Sequence, residues 1–127
     1  MKIRVSKKKT ALLTLAMCSL LAFPAASYAE TILVHASKSG AGYFISNWME
    51  YKQASYSGST EKLEYGFNTF LIHEDIAYAY SDGSRHAAKI VNGSGEHYGP
   101  WKWANEWSDL EVRHSGNTVN YYSVDWY

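Results

Sequence analysis

Short runs of alternating residues, separated by turn residues, are the feature that most restricts the fold of this chain. From residue 30 onwards, runs rich in aromatic and β-branched residues are broken by Gly, Asn, Asp and Ser at roughly 8–12-residue intervals. Within the run 62–67, polar and apolar residues alternate, as they do in a strand with one buried face. The pattern predicts an all-β fold, a small antiparallel β-sandwich built from hairpins, with a small barrel as the alternative.

Two of the breaks predict tight hairpins. Asp82-Gly83 lies between the strand-like runs 76–80 and 86–91. An Asp-Gly pair favours a hairpin because both central residues of the commonest tight turn need positive φ. The Gly-containing break 115–117 precedes the last strand-like run and predicts a second hairpin in the same way.

Two aromatic stretches leave their secondary structure open. The rings of residues 43–56 suit a strand, whereas residues 47–51 could form a helical turn. In residues 100–107, Trp101 and Trp103 alternate with a lysine, as they would in a strand that points both indoles into the core. A helical turn is the alternative for that stretch also.

The first 29 residues have the three-part order of a secretory signal. An apolar stretch, 11–26, is followed by Ser27-Tyr28-Ala29, which places small residues at the positions that a signal peptidase reads. A membrane anchor is the alternative, but the apolar run is shorter than the ~20 residues that span a bilayer. The sequence therefore predicts secretion with cleavage after Ala29. The basic residues that open this segment are Lys2, Arg4, Lys7, Lys8 and Lys9.

Removal of this signal would leave an acidic product without cysteine. Seven of the twelve Lys and Arg residues but all twelve Asp and Glu residues lie after residue 29, which gives a net charge of −5. An acidic surface disfavours nucleic acid as a partner, because phosphate binding needs a basic face. Since Cys18 lies in the signal, the core of the product has to come from packing, and its five Trp, ten Tyr and three Phe can supply it.

No group of residues has the spacing of a known catalytic or metal site. No pair of histidines has the spacing that places two ligands on one face, so we expect no metal and no cofactor. The Gly-x-Ser-x-Gly elbow is absent from the sequence, and the acidic pairs Glu74-Asp75 and Asp109/Glu111 are explained as charges on strand rims. We therefore predict no catalytic residues and no enzyme, with a wall hydrolase as the weaker alternative.

Exposed aromatic rings are the remaining route to function, because Trp and Tyr dominate binding hot spots. The adjacent residues Tyr121 and Tyr122 must point to opposite faces of a strand, so one of these tyrosines should lie outside the core. Packing in the core is the competing interpretation for every ring. The candidate ligand-binding residues are Trp101, Trp103, Trp107, Tyr121 and Tyr122, with turn donors at Asn92, Asn105 and Asn117.

The order of motifs after residue 62 resembles the lactococcin 972 family of secreted bacteriocins. The motifs that carry this resemblance are Leu63-Glu64-Tyr65-Gly66-Phe67, Tyr80-Ser81 before a turn, His86-Ala87-Ala88-Lys89-Ile90-Val91-Asn92-Gly93, Trp103-Ala104-Asn105, Gly116-Asn117 and Tyr121-Tyr122. The resemblance implies a disulfide-free β-sandwich, possible homodimerisation, and binding of the cell-wall precursor lipid II, which blocks septum formation in related Gram-positive bacteria. It implies no integral membrane segment after signal cleavage.

The resemblance divides the exported chain into two parts. Residues 63–127 carry the family-like motifs and are expected to form the β-sandwich domain, whereas residues 30–62 form an N-terminal extension without a match to the family pattern. A secreted, non-toxic binding protein of inhibitor or immunity type, with a protein or wall-glycan partner, is the alternative function.

Overall fold

The computed structural model describes residues 30–126, and the expected signal, its cleavage point and Tyr127 lie outside the described residues. Apart from one short 3-10 helix, Ala41–Phe44, the regular structure is all β. The strands are β1 (Glu30–Ser39), β2 (Trp48–Tyr56), β3 (Ser59–Asn68), β4 (Glu74–Ser81), β5 (Ala87–Asn92), β6 (Gly95–Tyr98), β7 (Trp107–Arg113) and β8 (Thr118–Trp126).

The strands form two antiparallel sheets of four. Sheet A has the order β1-β8-β5-β6, and sheet B has the order β2-β3-β4-β7. The predicted all-β class is thus confirmed. Hairpins connect β2 to β3, β3 to β4 and β5 to β6.

The predicted hairpin at Asp82-Gly83 is wrong, because β4 belongs to sheet B and β5 to sheet A. Side chains and the backbone of neighbouring segments together satisfy the backbone of this connection. Ser81 Oγ accepts hydrogen bonds from the amides of Gly83 (3.2 Å) and Ser84 (2.8 Å). The carboxylate of Asp82 accepts the Thr60 amide at 2.7 Å, which ties the loop to β3. A local turn signal cannot tell such a crossover from a hairpin.

The predicted hairpin at residues 115–117 is also wrong, since β7 and β8 lie in different sheets. Gly116 has φ 84°, a conformation that favours glycine in a crossover as much as in a hairpin. The carbonyl of Ser115 accepts the Gly93 amide at 2.8 Å, and that of Asn117 accepts the Gly40 amide at 2.7 Å. The connection is therefore bonded to two neighbouring loops.

The two aromatic stretches with ambiguous secondary structure, 43–56 and 100–107, differ in the structure. Residues 48–56 form β2, so the helical turn considered for 47–51 is excluded, and pairing with β3 extends over the whole strand. In the stretch 99–106 only Lys102 makes a bridge, to His86, and the rest is irregular. Side chains alternate between two faces only in a continuous strand, so alternation does not determine where the side chains of this stretch point. Trp103 is 72 % exposed, which makes its predicted place in the core wrong.

Both sheets contribute to one buried core. Ala36, Tyr121 and Ile90 lie side by side across sheet A, and all three are buried. The rings of Tyr121 and Tyr65, one from each sheet, lie with centroids 5.1 Å apart. The two sheets therefore pack face to face in a sandwich-like arrangement.

Residues 30–62 are part of both sheets. They supply β1, β2 and the beginning of β3, and the expected division between residues 62 and 63 falls inside β3. β1 pairs with β8 from Glu30↔Trp126 to Ser39↔Thr118, with one irregularity between Ile32 and Val34. The first and last described strands are therefore neighbours in sheet A.

Candidate functional site

The outer surface of sheet A carries a row of rings and charges that strand pairing creates. In register across the four strands lie His35, Tyr122, Lys89 and Tyr98. Their immediate neighbours in sequence include Tyr121 and Ile90, which face the core, so alternation turns this row outward. The rings of His35 and Tyr122 are stacked with centroids 4.6 Å apart.

Lys89 is a cation enclosed between two of these rings. Its Nζ lies 5.4 Å from the centroid of Tyr122 and 5.2 Å from that of Tyr98, both within the range of cation–π attraction. Only 10 % of its side chain is exposed, and its charge is paired with Oε1 of Glu30 at 2.6 Å. A cation this little hydrated needs such a partner, because an unpaired buried charge is strongly unfavourable.

Glu30 holds the rings and the lysine together. Besides Lys89, its carboxylate accepts a hydrogen bond from the Tyr98 hydroxyl and one from Trp126 Nε1 at 3.4 Å. Partial burial by itself would raise the pKa of Glu30, but these hydrogen bonds and the charge of Lys89 together lower it. Burial and the same carboxylate raise the pKa of Tyr98, which therefore stays a hydrogen-bond donor.

Two indoles extend the row towards the end of the sandwich where β8 ends. Trp126 lies with its centroid 6.1 Å from Tyr98, and Trp101, from the irregular stretch, lies 4.7 Å from Trp126. The guanidinium of Arg85 is 5.6 Å from the Trp101 ring, and its Nε donates to Asp125 at 3.1 Å. We use the name aromatic face for this set, which comprises His35, Tyr98, Trp101, Tyr122 and Trp126.

The chemistry of the aromatic face suits recognition of a ligand with both apolar and polar parts. The four rings of Tyr98, Trp101, Tyr122 and Trp126 are each half-buried, so each keeps an accessible surface while strands and charges restrict its motion. Aromatic surfaces bind sugar rings and hydrocarbon at low entropic cost, because few torsions have to be ordered. Arg85, which lies over the Trp101 ring, can donate hydrogen bonds to polar groups, and Lys89, enclosed between Tyr98 and Tyr122, adds a positive charge beneath the rings.

The predicted binding residues lie in four different places. Trp101 and Tyr122 belong to the aromatic face. Trp107 lies against Tyr80 in sheet B, with centroids 5.2 Å apart, and Trp103 stands out from the irregular stretch. Tyr121 is fully buried and thus inaccessible to a ligand, which confirms that only one of the adjacent tyrosines leaves the core.

The three predicted asparagine donors are not brought together either. Asn92 is buried, and its Nδ2 donates to Asp75 at 2.9 Å, while Asn105 accepts the Tyr80 hydroxyl at 3.0 Å. Asn117 lies in the crossover between the sheets, where its carbonyl accepts the Gly40 amide. None of these contacts involves a residue of the aromatic face.

Sequence reasoning missed three members of the aromatic face and the ion pair beneath them. Tyr122 and Trp126 share one side of β8 by strand periodicity, and this signal alone could have added Trp126 to the candidates. Tyr98, His35 and Glu30 give no comparable signal. Their place depends on pairing between segments far apart in sequence, such as Glu30 and Lys89, which are separated by 59 residues.

A hydrogen-bonded pair, His114 and Asp75, lies at the opposite end of the sandwich from Trp126. His114 Nδ1 lies 2.8 Å from Oδ1 of Asp75, and the His114 ring stacks on Phe44 at 4.3 Å. Burial raises the pKa of Asp75, although hydrogen bonds from Asn92 and His114 act in the opposite direction. Between residues 30 and 126 no group of three or more His, Cys, Asp or Glu side chains could hold a metal ion.

Comparison with protein-family models, curated proteins and solved structures finds no match to this chain. The resemblance to the lactococcin 972 family therefore depends on the motifs quoted above.

Proposed function

We propose that this chain is a secreted antibacterial protein that binds a cell-wall precursor such as lipid II and so blocks wall synthesis in related Gram-positive bacteria. The observation that carries the proposal is the aromatic face, a row of accessible rings with Arg85 and Lys89 among them. The expected signal and the family-like motifs provide the secretion and the class of target. The protein acts by sequestering the precursor and not by turnover.

The composition of such a precursor matches the composition of the aromatic face. Its sugar rings and isoprenoid chain stack on Trp101, Trp126 and Tyr122, which contribute most of the affinity. Its pyrophosphate accepts hydrogen bonds from Arg85 and is attracted by the charge of the enclosed Lys89. Each of these cations is already paired with a carboxylate of the chain, so the phosphate must compete with Asp125 and Glu30. Binding is therefore selective for a ligand that satisfies rings and cations together.

A growth-inhibition assay with the processed protein, Glu30 to the C-terminus, tests the proposal directly. The protein is applied to related Gram-positive strains, with and without added lipid II. We expect a zone of inhibition that added lipid II removes, and a loss of at least about tenfold in potency for Trp101→Ala or Trp126→Ala. Trp103→Ala is the matched control, because this exposed indole lies outside the aromatic face.

A neutral wall glycan bound by a non-toxic product is the second candidate. The net charge of −5 after signal removal favours it, since an acidic protein gains no attraction from an anionic cell envelope. Binding to isolated cell wall without growth inhibition, with the same sensitivity to Trp101→Ala, would establish this candidate. Absence of inhibition at high dose and of binding to lipid II would rule out the bacteriocin proposal.

Export itself is tested by expressing the full chain in a Gram-positive host. N-terminal sequencing of the protein in the medium should begin at Glu30. A protein retained in the membrane fraction with its first residues intact would contradict both the cleavage after Ala29 and a secreted role.

A further inference from the structure

More than half of the large apolar side chains that are exposed within residues 30–126 lie in two adjoining loops. Among the described residues, nine large hydrophobic side chains are exposed, and five of them lie in just two loops. One loop, 40–47, precedes β2, and the other, 69–73, connects β3 to β4. We use the name apolar tip for these five side chains, which are Tyr43, Ile45, Phe70, Leu71 and Ile72.

Hydrogen bonds between the two loops show that they form one tip. Oδ1 of Asn47 accepts the backbone amide of Thr69 at 2.7 Å and its hydroxyl at 2.8 Å. Oδ1 of Asn68 accepts the amide of Phe70 at 2.8 Å. These bonds hold the tip in shape before any partner arrives, and they satisfy backbone groups that would otherwise resist leaving water.

Buried groups of the core anchor the base of the tip. Phe44, between the two exposed residues of the first loop, is buried and stacks on His114, which is paired with Asp75. Phe67, at the end of β3, packs edge-on against Phe44 at 5.6 Å. The inward rings are thus rigidly held, while their neighbours in sequence point to solvent.

We propose that the apolar tip inserts into the interfacial region of a lipid bilayer and docks the protein on a membrane. Phe70 is 75 % exposed and Leu71 is 70 % exposed, so these side chains protrude and do not line a groove. Fluid acyl chains can surround separate protruding side chains, whereas a rigid protein surface would need a matching pocket for each one. Tyr43 adds a ring of the kind that is enriched at membrane interfaces.

Burial of the apolar tip in lipid, and not electrostatic attraction to the headgroups, supplies the affinity for the membrane. Lys38 lies beside the tip, with Nζ 4.9 Å from the Tyr43 ring, but this cation is paired with Glu50 at 2.9 Å. The processed chain has a net charge of −5. Attraction to anionic headgroups is therefore weak, and binding should occur equally well on zwitterionic lipid and at high salt.

Co-sedimentation with phosphatidylcholine vesicles that contain no wall precursor tests the proposal. The processed protein, which contains every strand of the described fold, should partition into the vesicle pellet. Phe70→Ser combined with Leu71→Ser should lower the partition coefficient at least about tenfold, since each substitution removes a large apolar group from the inserted surface. Ile32→Ser is the matched control, because this side chain is exposed on β1, away from the tip.

Two results would overturn the proposal. One is equal partitioning of the tip variant and the Ile32→Ser control. The other is a concentration-dependent dimer, detected by light scattering, that the tip variant abolishes while vesicles bind no protein, which would assign the tip to a second copy. Circular dichroism confirms that each variant is folded. Because the vesicles lack any precursor, failure here leaves the proposal for the aromatic face standing.

Discussion

The aromatic face and the apolar tip have similar residue types and opposite chemistry. On the face, rings alternate with charges: Lys89 lies between Tyr98 and Tyr122, and Glu30 bonds to the lysine and to two of the rings. On the tip, Phe70 and Leu71 point to solvent, and the lysine beside Tyr43, Lys38, is paired with Glu50. This difference shows that the groups around an exposed ring determine which kind of ligand the ring can bind. Rings with fixed charges suit a polar ligand, and apolar side chains without them suit hydrocarbon.

The same difference predicts how each region contributes to stability. The charges of the aromatic face are partly buried and mutually dependent, so substitutions there should lower the free energy of unfolding. The apolar tip is exposed in the free protein, so substitutions there should affect binding only. Four predictions test this contrast, from the largest expected change in stability to the smallest.

Removal of the enclosed lysine should have the largest effect. Lys89→Ala leaves the Glu30 carboxylate without its cation and opens the space between two tyrosines. We expect a loss of about 3 kcal/mol in the free energy of unfolding, measured by urea denaturation. Lys102→Ala is the control, because Lys102 lies in the irregular stretch 99–106 and its side chain forms no ion pair within residues 30–126, so we expect a change of less than about 0.5 kcal/mol. If the two substitutions lowered the free energy of unfolding equally, the stabilising role of Lys89 would be contradicted.

Neutralisation of Glu30 should have the next largest effect, and the effect should depend on pH. Glu30→Gln should cost about 2 kcal/mol at pH 7, as expected for the loss of charged hydrogen bonds. The pKa of Glu30 is lowered in the folded protein, so its contribution is complete above the ordinary value of 4.5 and is lost as the pH falls through the folded value. Urea titrations of both proteins should therefore converge at acid pH. A difference in stability that stays constant down to pH 3 would contradict this role.

Substitution of the buried tyrosine should have a smaller effect of opposite sign. The Tyr121 hydroxyl is buried without a hydrogen-bond partner among residues 30–126, and burying an unpaired hydroxyl is unfavourable. Tyr121→Phe should raise the free energy of unfolding by up to about 1 kcal/mol and leave ligand binding unchanged. By contrast, Tyr122→Ala should weaken ligand binding, because its ring lies on the aromatic face. Weaker binding by Tyr121→Phe would assign this residue to the site after all.

Changes at the tip should have the smallest effect on stability. Phe70→Ser should alter the free energy of unfolding by less than about 0.5 kcal/mol, because its ring is already exposed in the folded state. Phe67→Ser, at the buried base of the same loop, should destabilise the protein by several times that amount, since its ring is fully buried. Comparable losses in urea denaturation would mean that the tip is part of the core.

The candidate site was only partly predictable from the sequence. Of the predicted binding residues, Trp101 and Tyr122 lie on the aromatic face, whereas Tyr121 is buried in the core and Trp107 lies in the other sheet. The rings that complete the aromatic face come from β1, β6 and the end of β8, and their register is a property of strand pairing. Periodicity tells which residues of one strand share a side, and it contains no information on which strand lies alongside.

Local patterns in the sequence determined the all-β class, the turns as breaks in the chain and the opposite directions of Tyr121 and Tyr122. These are consequences of backbone geometry within a few residues, which side-chain alternation and turn residues report directly. Tertiary structure alone decided that the connections after β4 and β7 cross between sheets, and that Glu30 meets Lys89. Such pairings depend on how two sheets bury a common core, and a core is formed by residues that are distant in the chain.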